Sequence, residues 1–136
     1  MAVSLNECRA LIVDDDAFTR AMLADQLRDC GLAAIREARD GAQGIDEIAR
    51  WSPDVVLCDL NMPGEDGFQL LQRLGADHFE GGVIVVTGTG DRVKQSASLM
   101  ARFHGLQVLA CLAKPVARAE LAGALKKLGH ARLSVR

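Results

Sequence analysis

Four short runs of apolar residues constrain the fold of this chain more than any other feature. The runs are nearly continuous, without the alternation of polar and apolar residues that marks a strand with one wet face. Continuous runs of this length are typical of parallel strands covered by helices on both faces. They occupy residues 10–13, 55–58, 83–86 and 108–113, and a weaker run occupies residues 33–35.

Segments with helical spacing separate these runs. The first predicted helix lies between Asp16, a candidate N-cap, and Gly31, a candidate C-terminal stop. Strand and helix patterns alternate strictly, which predicts a parallel α/β sheet with helices on both faces. The second predicted helix runs from Asp40–Gly41 to Ser52–Pro53, and the third begins at about Asp66. The fourth carries Val93, Ala97 and Met100, and the fifth carries Leu121, Ala124, Leu125 and Leu128.

The length and charge of the chain bound its class. With 136 residues, 49% of them hydrophobic, the chain is long enough for one domain with one ordinary core. We expect that domain to occupy residues 8–129, with short extensions at 1–7 and 130–136. A net charge of −2 leaves no basic footprint, so direct binding to nucleic acid or to a membrane surface is not indicated.

The cysteines and the N-terminus predict a cytoplasmic protein. The four cysteines lie far apart, without the spacing of a zinc site or the density of a disulfide framework, so we interpret them as small hydrophobic residues in a reducing compartment. The first eight residues contain Asn6 and Glu7 and no long apolar stretch, which does not fit a signal peptide.

Polar residues follow the predicted strands at the end where parallel sheets bind ligands. The first strand is followed by Asp14, Asp15 and Asp16, the third by Asp59, the fourth by Thr87 and the fifth by Lys114, whereas the second ends in an ordinary turn, Arg39–Asp40–Gly41. If the four polar ends converge, the second strand lies at an edge. The sequence therefore predicts a doubly wound five-stranded sheet with the order 2-1-3-4-5 and five helices.

These residues match the chemistry of phosphoryl transfer. Carboxylates of Asp14, Asp15 and Asp59, with a backbone carbonyl nearby, suit Mg²⁺. A carboxylate also serves as a nucleophile that forms an aspartyl phosphate, and Asp59 is the better candidate because it stands alone at its strand end. Lys114 and Thr87 supply a positive charge and a hydroxyl donor for phosphoryl oxygens. Asp16 is interpreted as the cap of the first helix.

Taken together, the motifs resemble the receiver (CheY-like) domains of two-component response regulators. The resemblance rests on Asp14–Asp15 after "ALIV", Asp59 in "VVLCDLNMPGEDGF", Thr87 in "VIVVTG" and Lys114–Pro115 in "LAKP". It implies a flavodoxin-like fold and no enzymatic activity beyond the domain's own phosphorylation and dephosphorylation.

The resemblance also implies a role for each site residue. Asp59 would accept a phosphoryl group from a sensor histidine kinase, a phosphotransfer protein or a small phosphodonor. Asp14, Asp15, Asp59 and the backbone carbonyl of Asn61 would hold Mg²⁺. Thr87 would turn toward the phosphoryl group and Lys114 would pair with it, and the peptide bond after this lysine is often cis in the family. A downstream output domain or partner protein would receive the signal.

Two segments depart from the usual receiver pattern. Cys111 stands three residues before Lys114, where the family usually has Tyr or Phe, so the usual coupling between Thr87 and an aromatic ring is in doubt. The segment 101–115 is more similar to that of receivers fused to cyclic-di-GMP-handling output domains. On this interpretation the chain is a domain of a longer protein.

Two other functions are open at this stage. A haloacid-dehalogenase-type phosphatase also uses a strand-end D-x-D pattern, which Asp14 and Asp16 would supply. Such enzymes need a further acidic pair after the lysine, and here only Glu120 follows it. The second alternative is a receiver-like interaction module that is never phosphorylated.

Overall fold

The computed structural model describes residues 5–88 and 105–135. Its five strands are all parallel and lie in the order β2-β1-β3-β4-β5, which confirms the predicted order. The direction of the sheet order reverses between β1 and β3, so the carboxyl ends of these strands form a crevice. The strands are β1 Arg9–Val13, β2 Ala34–Ala38, β3 Val55–Asp59, β4 Gly82–Thr87 and β5 Gln107–Ala113.

Four α-helices connect or follow these strands in the described part of the chain. The helix predicted to carry Val93, Ala97 and Met100 lies outside the described residues. The helix predicted near the C-terminus is α4, and the domain boundary expected after residue 129 lies inside it, so the extent of the domain stays a prediction. The described helices are too short or too polar to cross a membrane. They are α1 Ala17–Asp29, α2 Gly41–Trp51, α3 Asp66–Ala76 and α4 Arg118–Val135, with short 3₁₀ turns at Leu5–Glu7 and Pro63–Glu65.

The sheet has a hydrophobic core on each face. On one face, Ile12, Leu57 and Ile84 pack with apolar residues of α1 and α4. On the other face, Leu11 and Val56 belong to a second core that apolar residues of α2 and α3 complete. Side chains on both faces of the central strands are therefore buried, which is why the sequence of these strands is continuously apolar.

Strand β2 differs from its prediction. The apolar run at 33–35 marks only its beginning, because the strand spans Ala34–Ala38 and includes the exposed residues Arg36 and Glu37. Since β2 is an edge strand with β1 as its neighbour, part of it faces water and tolerates charged side chains. An apolar run therefore underestimates the length of this strand.

The predicted helix ends agree with the structure. The side chain of Asp16 caps α1 by accepting a hydrogen bond from the Thr19 N–H, and Gly31 follows the helix with a φ of 105°. Ser52 ends α2 in the left-handed conformation, one residue before Pro53. These caps set where each helix starts and stops beside the sheet.

A β-bulge in β5 changes its register against β4. Val83 pairs with Val108, but the next residue, Ile84, pairs with Ala110, so Leu109 is the extra residue. The Lys127 ammonium on α4 donates a hydrogen bond to the Leu109 carbonyl over 3.1 Å. A continuous apolar run gives no sign of such an insertion.

Candidate functional site

The predicted polar residues meet at the carboxyl edge of the sheet. Asp14 directly follows β1, Asp59 and Thr87 are the last residues of β3 and β4, and Lys114 directly follows β5. Because these four strands are neighbours, their ends lie side by side. Asp14, Asp59 and Thr87 are buried, with 1%, 2% and 1% of their surface exposed, while Asp15 is exposed.

Three carboxylates form a cluster in this crevice. Asp14, Asp15 and Asp59 each offer an oxygen atom, and these atoms lie within 4.8 Å of one another. Burial raises the pKa of Asp14, and the charge of Asp59 raises it further, although a hydrogen bond from the Asp16 N–H opposes the shift. The cluster thus concentrates negative charge that the protein only partly compensates.

Lys114 supplies a positive charge that partly compensates the negative charge of the carboxylates. Its ammonium nitrogen lies 3.2 Å from Oδ2 of Asp14 and 3.2 Å from Oδ2 of Asp59. Burial lowers the pKa of Lys114, but the two carboxylates outweigh burial and the net shift is upward. The lysine therefore remains charged at physiological pH. The Lys114–Pro115 peptide bond is cis, as the family resemblance implied.

The carboxylate cluster fits a hard divalent cation. Its donors are all oxygen atoms, which Mg²⁺ prefers, and the exposed position of Asp15 leaves one side open to water or phosphate oxygens. Oδ2 of Asp14 is buried and pairs with the Lys114 ammonium at 3.2 Å, but it has no well-directed hydrogen bond within the described structure, so a lone pair is available to a cation. The backbone carbonyl of Asn61 remains a predicted ligand.

Main-chain contacts fix the position of Asp59. The N–H of Asn61 donates to Asp59 Oδ1 over 2.9 Å, and the N–H of Leu60 donates to the Val86 carbonyl over 2.9 Å. At Gly67, the second residue of α3, an added Cβ would lie 2.3 Å from the Asp59 carbonyl oxygen. The helix can approach the end of β3 this closely only because residue 67 has no side chain.

The end of β4 carries a buried hydroxyl, that of Thr87. Oγ1 of Thr87 is buried and has no hydrogen-bond partner among the residues that the structure describes. The next residue, Gly88, donates its N–H to Oδ1 of Asn61, so the loops after β3 and β4 are joined beside Asp59. Buried polar groups are usually paired, which makes Thr87 a candidate to bind something that enters the crevice.

Asp16 does not belong to the carboxylate cluster. Its Oδ2 accepts hydrogen bonds from the Thr19 hydroxyl at 2.6 Å and from the Thr19 N–H at 3.1 Å, which lower its pKa. The interpretation of Asp16 as a helix cap is therefore confirmed. A phosphatase that needs Asp14 and Asp16 as a catalytic pair would require Asp16 to leave this cap.

Sequence reasoning missed Arg20. Its guanidinium donates to the backbone carbonyl of Asp14 over 2.8 Å and pairs with Glu37 over 3.1 Å, tying the start of α1 to β2. An arginine one turn into a helix has the same pattern as any surface arginine, so no sequence signal marks this contact. Arg20 helps to hold the loop that carries the carboxylates.

Cys111 occupies a half-buried position in β5. It pairs in register with Val85 and packs against the core that α2 and α3 cover. Thr87 lies two residues farther along β4 than Val85. A thiol at this position fills far less space than the aromatic ring usual in receivers, as the sequence indicates.

Removing the charge of Asp14 is expected to stabilise the fold in the absence of divalent cations. Asp14→Asn keeps an oxygen to accept the Asp16 N–H, while Lys114 keeps its contact with Asp59. We expect the free energy of unfolding at neutral pH to rise by about 1 kcal/mol, because a buried like charge is removed. Urea unfolding of both proteins with EDTA measures the difference.

The difference in the free energy of unfolding between Asp14→Asn and wild type has a predictable pH dependence. A raised pKa in the folded state means that the folded protein binds the Asp14 proton more tightly than the unfolded chain does. Ionised Asp14 therefore costs stability at neutral pH, and this cost disappears as the pH falls through the raised pKa. The advantage of Asp14→Asn should shrink on acidification, and a variant less stable than wild type at neutral pH would contradict the expectation.

The comparison with a protein-family model identifies the kind of domain. The model of the response regulator receiver domain matches residues 10–126. Among curated proteins, the chemotaxis protein CheY of Bacillus subtilis is 36% identical over 84 residues, which cover 62% of this chain and 70% of CheY. A protein-glutamate methylesterase/protein-glutamine glutaminase of Myxococcus xanthus is 40% identical over 84 residues, 61% of this chain.

Solved structures show the same fold. The signal receiver domain of a modulated diguanylate cyclase from Desulfovibrio desulfuricans superposes with a TM-score of 0.77 at 26% identity, covering 93% of this chain and 98% of that domain. The match to the Myxococcus methylesterase spans only 24% of that protein's length.

Proposed function

Because the chain belongs to the response regulator receiver domain family, we propose that it is a phosphorylation switch whose phosphoryl acceptor is Asp59 and whose cofactor is Mg²⁺. The observation that carries the proposal is the position of Asp59: it is buried at a strand end, within 4.8 Å of two further carboxylates and 3.2 Å from the Lys114 ammonium. A carboxylate in this setting has both a cation cradle and a positive charge beside it. Phosphoryl transfer depends mainly on such positioning and charge neutralisation.

The proposed reaction transfers one phosphoryl group. A carboxylate oxygen of Asp59 attacks the phosphorus atom of a phosphohistidine or a small phosphodonor, and a P–O bond forms. The bond from phosphorus to the donor's imidazole nitrogen, or to its oxygen, breaks, and the leaving group keeps the electron pair. Hydrolysis by water later returns Asp59 to a free carboxylate and releases inorganic phosphate.

The other site residues assist in different ways. Asp14, Asp15, Asp59 and the Asn61 carbonyl would hold Mg²⁺, which when bound neutralises negative charge on the carboxylates and phosphoryl oxygens. Lys114 would pair with a phosphoryl oxygen, as it now pairs with Asp59. The hydroxyl of Thr87, which has no hydrogen-bond partner in the described parts of the chain, would donate a further hydrogen bond and carry the change along β4.

The partners follow from this chemistry. A sensor histidine kinase or a phosphotransfer protein would supply the phosphoryl group, and an output domain or separate protein would recognise the changed surface. The diguanylate cyclase receiver among the similar structures supports an output related to cyclic di-GMP. The cysteines that the structure describes are unbridged, which fits a cytoplasmic location.

The test is an intact-mass time course with acetyl phosphate. The proposal expects the chain to gain the mass of one phosphoryl group in the presence of Mg²⁺, to gain nothing with EDTA, and to lose the added mass in acid or base. Phosphate release that continues over many turnovers without a modified chain would favour the phosphatase. A chain that stays unmodified with every phosphodonor would favour the unphosphorylated interaction module.

Asp15 and Asp16 are expected to respond differently to the same substitution. Asp15→Asn removes one oxygen anion from the cluster and should weaken Mg²⁺ binding about tenfold, because hard cations depend on ligand charge. Asp16→Asn keeps a good N-cap outside the cluster and should change Mg²⁺ affinity less than twofold. Isothermal titration with MgCl₂ measures both. Equal losses in the two variants would contradict the proposed cradle.

A further inference from the structure

Asn61 contacts both sides of the crevice that contains Asp59. Its main-chain N–H donates to Asp59 Oδ1 over 2.9 Å, and its side-chain oxygen accepts the N–H of Gly88, the residue after Thr87. A Cβ added at Gly88 would lie 3.1 Å from that same oxygen. The exposed carboxamide of Asn61 therefore stands between the acceptor acid and the main chain that follows β4.

The hydrogen bond between Gly88 and Asn61 occupies an N–H donor that a phosphoryl oxygen would otherwise use. Phosphorylation adds negative charge and strong acceptor oxygens, which seek N–H and O–H donors. Lys114 and the Thr87 hydroxyl, which is unpaired within residues 5–88 and 105–135, are two such donors in the crevice. The N–H of Gly88, adjacent to Thr87 in the chain, is a third, but Asn61 satisfies it in the unphosphorylated protein.

We propose that the Asn61 carboxamide is a placeholder: it satisfies the Gly88 N–H until a phosphoryl group enters and then releases this donor to a phosphoryl oxygen. Asn61 is thus a positioning residue that sets the affinity of the site for the phosphoryl group. The inference rests on the proposed function. The exchange is favourable because a hydrogen bond to an anion is stronger than one to a neutral amide, and the exposed carboxamide is then solvated by water.

The test is the binding of beryllofluoride, a non-covalent mimic of the phosphoryl group, at saturating Mg²⁺. Asn61→Ala removes the competing acceptor and should bind beryllofluoride about threefold to tenfold more tightly, which is the range of one net hydrogen bond. Asn61→Asp keeps the acceptor and adds a like charge, so it should bind more weakly than wild type. Gln72→Ala removes an exposed carboxamide from α3 and is the matched control, with wild-type affinity expected.

Isothermal titration gives the affinities, and urea unfolding of each variant reports its stability. A merely structural role for Asn61 would make both variants bind more weakly, in step with their loss of stability. If wild type binds beryllofluoride and Asn61→Ala binds equally or more weakly, the placeholder is overturned while the proposed function stands. If wild type does not bind beryllofluoride, the proposed function is overturned, and the placeholder with it.

Discussion

Asp59→Asn is expected to abolish the mass gain that acetyl phosphate and Mg²⁺ give the wild-type chain. The amide lacks the anionic oxygen that attacks phosphorus, so we expect the rate of modification to fall at least about 100-fold. The substitution preserves the volume of a buried side chain, and its oxygen still accepts the Asn61 N–H. Lys114 retains Asp14 as a partner at 3.2 Å. Intact-mass spectrometry measures the loss, and circular dichroism checks the fold.

The matched control is Asp77→Asn. Asp77 follows α3, pairs with Arg73 and has 59% of its side chain exposed. It therefore has the same carboxylate group as Asp59 but an exposed environment. This control should be modified at the wild-type rate. Modification of Asp59→Asn at the wild-type rate would contradict the assignment of Asp59, and mapping of the modified peptide would then identify the true acceptor.

Gly67→Ala is expected to cause the largest loss of stability. The added Cβ would lie 2.3 Å from the carbonyl oxygen of Asp59 and 3.0 Å from the Cα of Leu60, both of which are main-chain atoms. Neither atom can rotate away, so α3 or the end of β3 has to move. We expect the free energy of unfolding to fall by about 3 kcal/mol, the upper range for overpacking. Urea denaturation measures the change.

Gly123→Ala separates this clash from the general effect of replacing glycine. Gly123 lies in α4, and a Cβ there would meet no atom within 4 Å. Alanine is the better helix former, so this variant should gain about 0.5–1 kcal/mol. If Gly67→Ala and Gly123→Ala change the free energy of unfolding in the same direction, the close approach of Gly67 to the end of β3 is not the cause of the change in Gly67→Ala. Loss of phosphorylation in Gly67→Ala at temperatures where it remains folded would show that Asp59 has been displaced.

The order of the strands could be predicted because the polar residues at their ends are unequally distributed. The strands whose carboxyl ends carry or precede Asp14, Asp59, Thr87 and Lys114 had to be neighbours for those side chains to act together, which leaves β2 at the edge. The length of β2 could not be predicted from apolar runs, because an edge strand includes the exposed Arg36. Burial produces the apolar signal, and burial is incomplete at an edge.

The convergence of the candidate site residues at one edge of the sheet was predictable for the same reason, but their contacts were not. Acids at strand ends are visible in the sequence, whereas the contacts of Arg20 with the Asp14 carbonyl and of Asn61 with Gly88 depend on how loops turn. A side chain that binds the main chain needs no particular partner residue, so it leaves no pattern. Such contacts can be identified only in the folded structure.

The bulge in β5 bears on how relatives of this chain should be aligned. Leu109 is accommodated without a paired residue, and from Ala110 to Ala113 the pairing with β4 continues with its register shifted by one residue. A bulge of this kind absorbs one extra residue on one strand while the residues after it stay paired with the neighbouring strand. For a relative that lacks the bulge, an alignment without a gap at Leu109 would assign the side chains before it to the wrong face of the sheet.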